Sequence, residues 1–240
     1  MRNIQFTEGE IYHVYNRGID KRSVFGDDKD RFRFIHDLFE FNDEEPAVNI
    51  YYKKDPSVSL QLQSYEAKPR KIERHKRKLI VELLAFCLMP NHFHLLLRQR
   101  KEGGISAFMH KLGTGYTMSF NQKYQRSGSL FQGSYKAILI KEESHFIHLP
   151  YYIHLNPLDL TAPGWREREI KDYKKAMRFL ENYRWSSYLD YIGQKNFPSV
   201  TQRKFLLSFF EEPRHYKKEM AKWLKDIDIG ESDLNEFTLE

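Results

Sequence analysis

Leu79-Ile80-Val81-Glu82-Leu83-Leu84-Ala85-Phe86-Cys87-Leu88, then Met89-Pro90-Asn91, then His92-Phe93-His94-Leu95-Leu96-Leu97-Arg98 is the stretch on which the fold turns. The first run is apolar except for Glu82, the pattern of a central strand buried on both faces. Met89-Pro90-Asn91 is a turn signal, and His92–Arg98 returns as a second strand. So short a link makes the two strands an antiparallel hairpin.

Upstream, Glu10–Tyr15 is rich in Ile, Val and Tyr and reads as a strand ended by Asn16-Arg17-Gly18. Asp27 and Asp28 offer N-cap chemistry, and Phe32, Ile35, Leu38 and Phe39 follow at helical spacing, so a helix is expected over about 28–41. Residues 43–68 show no sustained period and read as a long loop, with room for a short hairpin at Val48–Lys54. The whole insertion, 43–78, is longer than the core needs and its role is unassigned.

Downstream, Gly103-Gly104 breaks the chain, and Ile105, Phe108, Met109, Leu112, Tyr116, Phe120 and Tyr124 share one helical stripe. Gly113 and Gly115 each weaken that helix by about 1 kcal/mol, which implies a close backbone approach there. Ser134–Ile140 reads as a strand and Glu142–Leu155 as a helix. The order β-α-β-β-α-β-α begins with the split βαβ pattern of the ferredoxin-like fold. The fold class is therefore α+β: an antiparallel sheet with helices on one face, followed by a C-terminal helical appendage. The organisation expected is a domain over 1–193, a basic helical appendage over 194–225 and an acidic flexible tail over 226–240.

The chain carries 39 Lys and Arg against 33 Asp and Glu, a net +6. Six of those acids fall within residues 226–240, which contain no base, so residues 1–225 carry +12. A body of that charge suits a polyanion such as nucleic acid, and equally an ordinary soluble protein. Lys68–Lys78 holds seven bases against Glu73, either a solvated face or a set of phosphate contacts. One cysteine, Cys87, excludes an intramolecular disulfide and a Cys-based zinc cluster. No apolar run approaches the 18 or so residues of a membrane span, and the N-terminus lacks a signal core. The expectation is a soluble, cytoplasmic protein without a membrane partner.

Two segments could carry chemistry. His92 and His94 are two apart on a strand, so both imidazoles share a face about 7 Å apart. Such a pair can hold a divalent metal, though it is a weak signal alone. Tyr152 and Asn156 are four apart and share a helix face that Pro157 closes. Core packing would ordinarily explain that pair.

Met89–Leu96, Gly128–Lys136 (Gly-Ser-Leu-Phe-Gln-Gly-Ser-Tyr-Lys) and Tyr152-Ile153-His154-Leu155-Asn156-Pro157-Leu158 together resemble the IS200-like tyrosine transposases. The branch they are most similar to is the REP-associated tyrosine transposases. Tyr12-His13-Val14-Tyr15-Asn16-Arg17-Gly18 and Trp185-Ser186-Ser187-Tyr188 match the same pattern. The resemblance covers residues 7–193, and more weakly the region to 225.

It implies an HUH single-strand DNA endonuclease of the one-tyrosine type, with His92 and His94 as metal ligands, Asn156 as the third ligand and Tyr152 as nucleophile. The implied cofactor is Mg²⁺ or Mn²⁺. The implied partner is single-stranded DNA bearing a hairpin, at REP-like sites or transposon ends. In this superfamily the tyrosine helix serves its own subunit or a partner's, so monomer and homodimer both stand. Pro150, two residues before Tyr152, departs from an uninterrupted helix and implies a kink or a start there. Arg17, Lys21, Arg22, Arg74, Lys76, Arg77, Arg126 and Lys136 are candidate DNA-backbone contacts, and Tyr12, Tyr15, Phe131 and Tyr135 candidate stacking platforms. His154 is a candidate proton carrier. The rival reading is a non-catalytic single-stranded nucleic-acid binder on the same fold, which has no need of the His pair or of Tyr152.

Overall fold

The structure, a computed structural model, describes residues 5–45, 77–141, 143–210 and 213–226. Most of the insertion, Arg74 and Lys76 within it, and all of the acidic tail after Asp226 lie outside the described residues. Four strands form one antiparallel sheet: β1 (Ile11–Arg17), β2 (Val81–Met89), β3 (His92–Gln99) and β4 (Lys136–Leu139), in spatial order β2-β3-β1-β4. With α1 (Asp28–Glu40) after β1 and α2 (Gly104–Lys123) after β3, this is the expected ferredoxin-like arrangement.

Local chemistry accounts for the elements. Asp27 caps α1 by accepting from the Asp30 amide at 3.0 Å, and Asp30 returns the bond to the Asp27 amide at 3.2 Å. In β2 the register skips one residue between Leu83 and Ala85. That bulge turns Leu84 and Ala85 to one face, and alternation resumes with Phe86 on the other and Cys87 beside His94. Of the two helical glycines, Gly115 meets the expectation: a Cβ there would lie 2.6 Å from the Phe41 ring. Gly113 does not. Among the described residues nothing lies within 4 Å of a Cβ at that position, so no close approach by them explains it.

The two helices of the split repeat, α1 and α2, cover one face through Phe34, Leu38, Phe108 and Leu112. The second face is covered as well. α3 (Glu143–Leu155), α4 (Tyr173–Asn182), α5 (Tyr188–Tyr191), α6 (Lys204–Leu207) and α7 (Pro213–Asp226) build a second core on it, with Tyr152, Trp165, Tyr191 and Tyr216 fully buried. Helices on both faces follow from the strand pattern, because Leu84, Ala85, Cys87 and Leu96 turn apolar side chains to the face opposite α1 and α2. α3 runs through Pro150 rather than beginning there.

The edge of β2 is covered by the same C-terminal chain. The Leu88 amide donates to the Trp185 carbonyl at 2.9 Å, and the Ser187 amide donates to the Phe86 carbonyl at 3.0 Å. Tyr191 and Tyr183 donate their hydroxyls to the Leu84 and Leu88 carbonyls at 2.7 and 2.6 Å. Gln202 exchanges two bonds with Leu83. The Trp185–Tyr188 motif therefore protects an edge that would otherwise invite pairing with another chain.

Candidate active site

The hairpin places the two histidines. His92 pairs across the sheet with Arg17 and Met89, and His94 with Tyr15 and Cys87, so both lie at the end of the sheet where β1 finishes. Their rings are perpendicular with centroids 5.0 Å apart. α3 crosses this face and sets the Tyr152 ring perpendicular to His94 at 6.0 Å. Tyr151, about 100° round the helix, turns instead to Tyr216, Phe210 and Trp223. The tyrosine and the His pair of a single chain thus meet.

A cavity of about 640 Å³ opens on this cluster, lined by His92, Tyr152 and Asn156 together with Arg17, Lys21 and Arg166. His94 is fully buried behind that wall. The turn at 18–21 delivers the first two cations. A Cβ on Gly18 would come within 2.3 Å of the Arg22 carbonyl oxygen, so the chain can double back only with glycine there. Asp20 and Lys21 are left-handed, at φ 53° and 56°, and the Asn91 amide anchors the Lys21 carbonyl at 3.1 Å.

Asn91 also faces the site. Its Oδ1 lies 2.7 Å from His92 Nδ1. His94 Nδ1 is engaged by His13 Nε2 at 2.8 Å, both residues being fully buried. Burial lowers all three imidazole pKa values: His92 to about 4, His13 to about 3, and His94 well below its ordinary value, with His92, His13 and Arg166 adding to the effect there. All three rings are neutral at pH 7. A neutral imidazole is the form that binds a metal.

Past Tyr152 the chain forms two short 3₁₀ turns, Asn156–Leu160 and Pro163–Glu167. Asn156 donates its amide to the Tyr152 carbonyl at 2.8 Å and accepts from Arg166 Nη2 at 3.2 Å. Arg166 is held by both carboxylate oxygens of Asp159, which also accepts from the Trp165 indole at 2.7 Å. The guanidinium carbon stands 5.7 Å from the centre of the Tyr152 ring. The Tyr152 hydroxyl is buried and, among the described residues, makes no hydrogen bond of normal geometry. Burial raises its pKa, against which the nearby Arg166 charge favours the phenolate.

The resemblance implies a divalent metal, and the donors present fit one. Among the described residues His94 Nε2, a buried nitrogen, has no hydrogen-bond partner, and both Nδ1 atoms are occupied, so the Nε2 atoms are the ones left to coordinate. The third donor, Asn156 Oδ1, is at the cavity wall but bonded to Arg166. Among the described residues no group of three or more His, Cys, Asp or Glu is placed to hold a metal. A cation there would rest on two imidazoles, one amide, water and substrate oxygens.

The remaining candidates are scattered. Arg22 pairs with Asp20 at 3.4 Å, and Lys136 lies 6.0 Å from the Tyr15 ring. Arg77 bonds the Phe39 carbonyl and stacks on its ring, and Arg126 bonds Asn121. None of these four lines the cavity. Tyr12, Tyr15 and Phe131 are core residues. His154 is not a proton carrier for the site: fully buried, it spends both nitrogens on Tyr216 and Ser187 at 2.6 and 2.7 Å. Sequence reasoning missed His13, Asp159 and Arg166. Alternation along β1, which puts His13 on one face with Tyr15 and Arg17, and an Asp three residues beyond Asn156 were the available signals.

No helix among the described residues is long and apolar enough to cross a membrane. No curated protein matches the chain. A solved structure described as "Structure of the REP associates tyrosine transposase bound to a REP hairpin" aligns with 83% of this chain and 89% of that one, at 11% identity and a TM-score of 0.49. Residues 60–156 match the family described as Transposase IS200 like. Over that segment, which carries the His pair, Tyr152 and Asn156, this chain is similar to the IS200-like transposases, as its motifs indicate.

Proposed function

We propose that this protein is a metal-dependent single-stranded DNA endonuclease and strand transferase, with Tyr152 as nucleophile, acting at hairpin-associated sites such as REP-like elements or transposon ends. One observation carries the reading: Tyr152, His92 and Asn156 line one cavity walled by Arg17, Lys21 and Arg166, with His94 directly behind. Among the described residues the buried Tyr152 hydroxyl and His94 Nε2 both lack a hydrogen bond of normal geometry, which leaves them open to a ligand or a reaction.

The phenol oxygen of Tyr152 attacks phosphorus and its proton departs. The bond from phosphorus to the 3′-oxygen breaks, and that oxygen leaves as a hydroxyl. A 5′-phosphotyrosyl link remains. Because it keeps the energy of the broken diester, the 3′-hydroxyl of another strand can reverse the step without ATP. A phenol ionises near pH 10, so only about a thousandth is phenolate at pH 7, and burial reduces that further. Arg166 answers this problem by placing positive charge beside both the phenol and the space for the phosphate. Arg17 and Lys21 hold neighbouring phosphates. His92, His94 and Asn156 would hold a divalent ion, Mg²⁺ or Mn²⁺, which would supply Lewis-acid polarisation of the phosphate. Imidazole donors suit Mn²⁺ better than Mg²⁺. All these groups belong to one chain, so one subunit holds a whole site.

The test is incubation with single-stranded hairpin oligonucleotides and Mn²⁺. An SDS-resistant protein–DNA adduct that chelator prevents is the expected result. Tight hairpin binding with no adduct under any metal would replace this reading with that of a non-catalytic binder.

A further inference from the structure

We propose that His13 is a positioning residue for this site, accepting the Nδ1 proton of His94 in the tautomer whose Nε2 lone pair is available to a cation. The inference rests on the reading of His92, His94 and Asn156 as the cation-binding set.

His13 belongs to the Tyr12–Gly18 motif, of which the proposed chemistry otherwise uses only Arg17. It lies on β1 opposite Leu96, diagonal to His94, on the face that α3 covers. The two rings are stacked, 10° from parallel with centroids 5.0 Å apart, and both are fully buried. Neither has room to turn.

Two neutral imidazoles share one hydrogen bond in only two ways. In one, His94 Nδ1–H donates to His13 Nε2, leaving His94 Nε2 bare. In the other, His13 Nε2–H donates, and the proton of His94 then sits on Nε2. The first puts the remaining proton on His13 Nδ1 and the second puts it on His94 Nε2, so hydrogen bonding alone does not choose between them. A cation on His94 Nε2 admits only the first.

His92 repeats the device. The carbonyl oxygen of Asn91 can only accept, so His92 Nδ1 carries the proton and Nε2 is bare. Both histidines are thereby aimed by a partner on Nδ1, the arrangement by which outer residues fix metal-binding imidazoles. The difference lies in reach. Asn91 is the adjacent residue, whereas His13 arrives from 81 residues away.

The experiment uses the full chain and Mn²⁺ alone, titrated calorimetrically into wild type, His13→Phe and His13→Gln. Loss of such an outer partner lowers metal affinity by about 10- to 100-fold, and that loss is expected for His13→Phe. His13→Gln, whose amide oxygen can accept from His94 Nδ1, should recover most of it. Hairpin binding in chelator should stay within about twofold of wild type in both variants, since His13 has no part in phosphate contact. Nitrogen spectra of histidine-labelled wild type holding diamagnetic Zn²⁺ should show the proton of His94 on Nδ1. Wild-type Mn²⁺ affinity in His13→Phe, or a proton on His94 Nε2 in the Zn²⁺-bound state, overturns the inference. Should His13→Phe fail to fold, the wild-type spectrum and the His13→Gln titration decide. Absence of Mn²⁺ binding by wild type is a different failure, which removes the cation site and this inference with it.

Discussion

Two buried histidines flank the same helix and live opposite lives. His154, on α3, is fully buried with both nitrogens bonded, to Tyr216 at 2.6 Å and to Ser187 at 2.7 Å. His94, across from Tyr152, is equally buried with one nitrogen bonded and the other without a partner. Burial depresses the pKa of both. Low exposure and a low pKa therefore do not separate His94 from His154; their bonded nitrogens do. A buried polar atom left unpaired opposes folding, and such atoms persist where a ligand or reaction uses them. The two tyrosines follow suit: Tyr216 spends its hydroxyl on His154, whereas that of Tyr152 is unspent.

The strongest way to break this contrast is at Tyr152. Tyr152→Phe should lower adduct formation by about 10⁴-fold or more, since it removes the nucleophile. Its unfolding free energy should stay within about 0.5 kcal/mol of wild type, because no hydrogen bond is lost. A Phe variant that still forms an SDS-resistant adduct would sink the assignment. His154→Ala should do the reverse. It strands the Tyr216 hydroxyl and leaves a cavity, while Ser187 keeps its bonds to Phe86, for about 3 kcal/mol of stability in urea unfolding. The fraction that remains folded should still form adduct.

Arg166→Gln tests the basic wall. It keeps a polar side chain but removes the charge beside the phenol, and adduct formation should fall about 100-fold with hairpin affinity changed by far less. Equal losses in both would make Arg166 a binding residue only. The smallest effect sharpens the comparison most. Tyr216→Phe should cost about 1–2 kcal/mol of stability through the nitrogen it strands on His154, with adduct formation unchanged. If Tyr216→Phe and Tyr152→Phe cost the same in stability, the contrast between satisfied and unsatisfied groups is wrong.

The legible part of this molecule was its local periodicity. Apolar alternation over 79–98, with a turn at Met89-Pro90-Asn91, specifies a hairpin because side chains on strands repeat every two residues. The same period puts His92 and His94 on one face, and a helical period puts Tyr152 and Asn156 on another. Those readings hold in the structure. Gly113 shows the limit: its residue type implied crowding, and no described residue lies within 4 Å of a Cβ there. Helix-face statistics cannot say which neighbour arrives.

What the sequence determined by itself was the order of elements, the identity of the paired histidines and of the tyrosine, and the family they resemble. Each depends on residues a few positions apart, whose relative placement the backbone period dictates. Only the tertiary structure decided the rest. Strand register brings His13 from β1 to His94 on β3, and packing of α3 on the second sheet face turns Tyr152 toward them. Two short turns after α3 then return Arg166 to the cavity. Contacts between distant segments depend on how whole elements dock. Docking is set by the sum of many buried side chains, so no short stretch of sequence encodes it.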